Sequence, residues 1–157
     1  MFVSIASIAT LADPLTSGVS GNDSLYLWIA LSMQNVREKA DNELNSALEN
    51  DWNSSPEDLT SKIANFLLGH IGEREIIADA PAPDLSRGPG RYCKVWYFVG
   101  MKRLISGDTP TAQSYFQRSV ATDQKDFCEY IFARAQLDAL GQNRQASTLP
   151  PGTVPPQ

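Results

Sequence analysis

The sequence predicts an all-α protein, and three observations carry that expectation. Apolar residues recur at three- and four-residue intervals along successive segments. Several of those segments open on Ser, Thr or Asp, twice with proline next in line, a combination that starts helices. Nowhere do β-branched residues alternate with polar ones over the length of a strand.

Gly18, Gly21 and Asn22 close an apolar N-terminal arm, residues 1–22. Asp23 or Ser24 then caps a helix that begins Leu25-Tyr26-Leu27-Trp28 and runs to about Gln34. From Arg37 to Glu49 the residues Ala40, Leu44, Ala47 and Leu48 share one face of a second helix, whose other face is charged and rich in amides. Ser55-Pro56-Glu57-Asp58 supplies an N-cap serine, a proline at the first helical position and a carboxylate three after the cap. The helix it starts carries Leu59, Ile63, Phe66 and Leu67 as its apolar stripe, and Gly69 and Gly72 loosen its end. Glu73 to Ala80 reads as a short further helix stopped by Pro81 and Pro83.

Residues 23–80 thus form one helical block, and residues 81–90 (PAPDLSRGPG) are the linker loop after it. Three helices follow, about Arg91 to Ser106, Pro110 to Thr122 and Asp126 to Leu140, the second opened by Thr109-Pro110 and the third by an acidic capping box of Asp126 and Glu129. Residues 142–157 hold four prolines and almost no apolar side chains, so the tail is expected to be extended and disordered.

A chain of 157 residues suits one domain with a modest core, and 42% hydrophobic with 20% charged residues is ordinary for a protein that folds in water. The net charge of −5 repels a phosphate backbone and argues against nucleic acid as a partner. His70 is the only histidine, and Cys93 and Cys128 lack metal-ligand spacing, so no metal or cofactor is implied. No segment reaches the roughly twenty apolar residues of a membrane span. Phe2 to Ala12 has the length of a signal-peptide core, but no Lys or Arg precedes it; an apolar arm is favoured over an export signal, and the cytoplasm over the periplasm.

The sequence repeats itself at a fixed interval. Thirty-four residues separate Trp96 from Tyr130, Val99 from Ala133 and Gly107 from Gly141, which aligns the aromatic start and glycine stop of two successive helices. Within Trp96 to Val120 an aromatic, a small residue four later, a Gly-Asp turn, a small residue, an aromatic and another small residue follow one another. These are Trp96, Gly100, Gly107-Asp108, Ala112, Phe116 and Ser119, and in this pattern the segment closely resembles the tetratricopeptide repeat. Gly100 and Ala112 are expected to let two antiparallel helices approach closely, Gly107 to permit the tight turn, and Trp96 and Phe116 to fill the seam between hairpins. Arg103 stands where that family has a large aromatic, Ser119 where it has alanine, and Gln124 where it has proline. Phe127 to Gly141 looks like the first helix of another repeat without its partner. The first half is more degenerate, and the whole is also similar to bacterial tetratricopeptide lipoproteins without their lipid-bearing cysteine.

The resemblance implies a right-handed superhelix, an α-solenoid, of about three helical hairpins plus a C-terminal capping helix, with degenerate hairpins at 23–80 and the repeat together with the capping helix at 91–141. It implies an adaptor without catalytic activity that binds another protein, or a second copy of itself, along a concave face lined by the first helix of each hairpin. Matched position by position, the groove residues are Tyr97, Met101, Leu104 and Ile105, then Ile131, Ala135 and Asp138. Members that clamp a carboxylate terminus use Lys and Asn where this chain has Tyr97, Met101, Ile131 and Ala135. An apolar inner face has two explanations, a hydrophobic partner or burial under the N-terminal arm, and burial is favoured because aromatic and Met stripes usually belong to cores. The oligomeric state stays open.

Other features read as structural. Lys102, Arg103 and Arg134 offer a basic strip for an acidic partner, although helix charges are more often simply solvated. His70 beside Gly69 suits a helix C-terminus better than a general base. Arg87-Gly88-Pro89-Gly90-Arg91 lacks the flanks of a nucleotide loop and reads as a hinge. Cys93 and Cys128, each near the start of a first helix about one repeat apart, are too distant for an unstrained disulfide and are expected to be buried thiols. A structural subunit of a larger complex and a helical hydrolase using carboxylates in a cleft are the rival readings.

Overall fold

In the computed structural model the described residues are 21–50, 58–80 and 88–148. They form seven helices and no strand: α1 (Gly21–Met33), α2 (Arg37–Asn50), α3 (Leu59–Leu68), α4 (Glu73–Ala78), α5 (Gly88–Ile105), α6 (Thr109–Ala121) and α7 (Cys128–Thr148). The all-α expectation holds. Expectations for residues 1–20, 51–57, 81–87 and 149–157 fall outside the described residues.

Three of the helices end in the same device. Asn35, Gly69 and Gly107 take positive φ values of 61°, 87° and 86°. After each, the next amide reaches back to a carbonyl five residues earlier: Val36 to Leu31 at 3.2 Å, His70 to Asn65 at 2.8 Å and Asp108 to Arg103 at 2.9 Å. This is the Schellman ending, which satisfies the last carbonyls and turns the chain sharply into the next helix. Gly69 therefore tightens the end of α3 instead of loosening it. Thirty-four residues separate Asn35 from Gly69, so the interval seen in the second half of the sequence is present in the first half as well.

Several helix boundaries differ from those expected. α1 already includes Gly21 and Asn22, which places Asp23 and Ser24 inside it, Ser24 buried. The cap of α3 is Asp58, whose carboxylate accepts from the Thr60 amide at 3.0 Å. The cap of α6 is Asp108, accepting from Thr111 at 3.3 Å, with Pro110 one position further into the helix than read. Gly88 to Gly90 belong to α5 and not to the linker. Gly141 ends nothing: α7 continues to Thr148, so the first part of the supposed disordered tail is helical. A glycine stops a helix only when the residues beyond it leave the helical path, and Gln142 to Thr148 are adequate helix formers.

α5 is the central element, packed against α1, α3, α4, α6 and α7. Its buried residues Cys93, Val95, Tyr97, Phe98, Val99 and Met101 cover all its sides, as a helix enclosed by others requires. α1 packs on α2 and α3, α6 on α5, and α7 on both α6 and α5. Full burial of each large apolar side chain, Trp28, Phe98 and Phe116 among them, contributes about 1.5–3 kcal/mol. Arg91 joins the two halves, donating from Nε to the Ala80 carbonyl and from Nη2 to that of Asp79, both at 3.1 Å. The supposed hinge is therefore tied at its C-terminal side to the chain that ends α4.

Candidate functional site

The position-by-position match of groove residues can be extended through the Schellman endings. Tyr97 stands ten residues before Gly107; the residues ten before Asn35 and Gly69 are Leu25 and Leu59. Met101 stands six before its ending, as do Ile29 and Ile63. All six are buried. The line expected to face an open groove is, in α1, α3 and α5, the core of the protein. Tyr97 and Met101 are thus unavailable to a partner, a correction to the groove assignment, and Leu104 and Ile105 are half-buried against the same core.

The physical reason is that α1 lies against α5, skipping the hairpin between them. Tyr26 of α1 sets its ring against Tyr97, Phe98 and Phe132, with centroids 6.4, 5.6 and 5.7 Å away. Burial of the inner face is the favoured reading, and among the described residues the cover is α1; residues 1–20 of the arm lie outside them. Burial, followed by the neighbouring Glu129 carboxylate, pushes the Tyr26 phenol far above its ordinary value, and burial raises Tyr97 likewise.

Continued thirty-four residues on, the same line reaches α7 and comes to the surface. Ile131, at the Tyr97 position, is 54% exposed, and Ala135 and Asp138 are exposed with it. Phe127, one turn before Ile131, is also exposed. Of the seven groove candidates, these last three are the ones the structure leaves accessible on one helix.

Polar groups, one of them buried, gather beside this face. Glu129 is buried and its Oε1 accepts the Tyr26 hydroxyl at 2.9 Å. Instead of completing a capping box with Asp126, it ties α7 to α1. Lys94 of α5 donates to the side-chain oxygen of Asn22 and, at 3.1 Å, to the Thr60 hydroxyl. Burial lowers its pKa, while Glu129 and Asp58 favour its charge. Neither Tyr26 nor Lys94 was singled out in the sequence: Tyr26 sits in an apolar run with no face marked, and Lys94 resembles any helix lysine.

The repeat-packing residues divide. Gly100, Ala112 and Phe116 meet as expected, α6 crossing α5 where the glycine removes a side chain. Ser119 is buried where the resemblance has alanine, and its hydroxyl donates to the Cys93 carbonyl at 2.8 Å, which satisfies it. Trp96 and Tyr130 do not share an environment. Trp96 is half-buried in a stack between Tyr92 and Tyr115, with the Arg118 guanidinium 5.1 Å from its ring. Tyr130 is buried and joins no such stack among the described residues. Trp96 therefore stacks on α6, within its own hairpin, and not on a neighbouring one.

The basic strip dissolves. Lys102 donates to the Phe66 carbonyl and stands 4.3 Å from that ring's centroid. Arg103 pairs with Glu73 at 2.8 Å and Asp108 at 3.4 Å, leaving Arg134 apart and exposed. His70 is exposed, its Nδ1 3.0 Å from Oδ1 of Asn65, at the end of α3 as read. Cys93 is a buried thiol, but Cys128 is exposed, because it opens α7 at the free edge; both are unpaired.

Among the described residues no group of His, Cys, Asp and Glu is arranged to hold a metal ion, and no helix is long and apolar enough to cross a membrane. No family model matches the sequence, and no solved structure matches the fold significantly.

Proposed function

We propose that the chain is a non-enzymatic protein-interaction scaffold, a short right-handed array of tetratricopeptide-like hairpins closed by α7, whose partner docks on the open face of that last helix. Three features support the repeat reading: the recurring Schellman endings, the close crossing of α5 and α6 at Gly100, and the contact of each first helix with the next, α1 with α3, α3 with α5 and α5 with α7. One observation carries the assignment of the face. The line of positions that is core in α1, α3 and α5 is exposed in α7, so Ile131 presents to solvent an apolar side chain at a place where its counterparts are covered. Exposed apolar groups in such a row mark interaction surfaces more often than isolated ones do.

A photo-crosslinking residue at position 131 tests this. It should yield a protein adduct of defined mass, an adduct of twice the chain's mass indicating self-association, whereas the same group at exposed Lys39 should yield none. Ile131→Glu should abolish binding of the captured protein with helix content unchanged. Undiminished binding by that variant would remove the face from consideration. Charged substitutions at Tyr97 do not serve, since Tyr97 is buried and a charge there would unfold the core.

A further inference from the structure

α1 is fastened by side-chain hydrogen bonds at two points, once to α5 and once to α7. Its Asn22 side chain accepts a hydrogen bond from Lys94 of α5, and four residues on, the Tyr26 hydroxyl donates to Glu129 of α7. A four-residue spacing sets both on one side of the helix. The neighbouring residues Leu25, Trp28, Ile29 and Ser32 are buried, and α1 packs on α2, α3 and α5. The backbones of α1 and α7 do not pack together; the Tyr26 side chain spans the gap between them, its ring over Phe98 and Phe132. Hydrogen bonds of this kind exchange with water at small net cost, unlike an interlocked apolar seam.

We propose that Asn22–Lys94 and Tyr26–Glu129 form a latch, by which the first helix acts as the chain's own cover over the inner face of α5 and α7. Its release opens the seam between α1 and α7 and bares Tyr97 and Phe132, extending inward the apolar face that begins at Ile131. The inference rests on the scaffold reading in one respect, that this face is the partner's; the latch itself is a property of the free chain.

Nitroxide labels at Leu27→Cys and Ile131→Cys, both at exposed positions, with Cys128→Ser and the buried Cys93 left in place, report the separation of α1 and α7 by electron–electron double resonance. The latched chain should give one narrow distance. Tyr26→Phe should broaden it, and Asn22→Ala combined with Tyr26→Phe should move it outward, with helix content by circular dichroism retained. An unmoved, narrow distance in the double variant overturns the latch. So does loss of helix in the conservative Tyr26→Phe chain, because the contact would then sustain the fold and not the position of one helix. Failure of partner capture at position 131 leaves this distance unaffected, so the two readings fail separately.

Discussion

The Phe116 ring occupies the space that a side chain at position 100 would need: a Cβ built on Gly100 falls 2.7 Å from the Phe116 Cε1 and 3.3 Å from the Ala112 carbonyl oxygen. Phe116 is completely buried and cannot step aside. Gly100→Ala should therefore destabilise the chain by about 1–2 kcal/mol net, overpacking outweighing the roughly 1 kcal/mol that alanine adds to a helix. Urea denaturation midpoints check this. Gly90 makes an equally short approach, 2.7 Å to Cζ of Phe127, but that ring is exposed and free to swing. Gly90→Ala should be neutral or stabilising by up to about 1 kcal/mol.

Glu73 holds the start of α4 against α5 and α6. Its Oε2 accepts from Arg103 Nε at 2.8 Å, and its Oε1 accepts the Tyr115 hydroxyl at 2.5 Å. The bond with Glu73 holds the Arg103 guanidinium above its ordinary range. Arg103 is 40% exposed, so water screens the pair and Glu73→Gln should cost only about 1 kcal/mol. A double-mutant cycle with Tyr115→Phe should show a coupling of about 0.5–1 kcal/mol; additivity would mean the hydroxyl contact contributes nothing.

Alkali should unfold the chain through its tyrosines. Tyr26, Tyr97 and Tyr115 all have phenols raised above the ordinary 10.0, burial being the largest cause in each. Above that value the unfolded chain releases protons the folded chain still holds, so stability falls as pH rises. Lys94 and Lys102, lowered by burial, act oppositely below 10.5, where the unfolded chain binds more protons, and add no further slope above it. Denaturant midpoints should therefore drop steeply above about pH 10.5, and Tyr97→Phe should flatten the drop.

The two thiols should separate cleanly under a thiol reagent. Cys128 is exposed and should react in the folded chain; Cys93 is buried, its thiol raised by that burial, and should react only at the rate of unfolding. Equal rates in native buffer would show that the α5–α6 seam opens far more readily than its packing implies.

Local chemistry made much of the fold legible. Helix periodicity, the Gly107-Asp108 turn, and the meeting of Gly100, Ala112 and Phe116 depend on residues a few positions apart or one hairpin apart, and these were found. The thirty-four-residue interval between Asn35 and Gly69 is not legible in the sequence, because Asn35 does the work of glycine there, tolerating positive φ without announcing it. Helix ends were misplaced where two residues could cap equally well, as with Thr109 and Asp108.

The sequence by itself determined the helices, their order along the chain and the absence of any strand-forming pattern, because backbone propensity and apolar spacing are properties of neighbouring residues. Which side of α5 and of α7 faces solvent was decided by tertiary structure, whereas the buried stripe of α3 (Leu59, Ile63, Phe66 and Leu67) follows from apolar spacing. Tyr97 and Ile131 stand thirty-four residues apart, yet one is 4% and the other 54% exposed, because α1 returns across α5 and stops short of α7. No periodicity encodes a contact between residues as far apart as Tyr26 and Glu129; only the folded chain brings that hydroxyl and that carboxylate together.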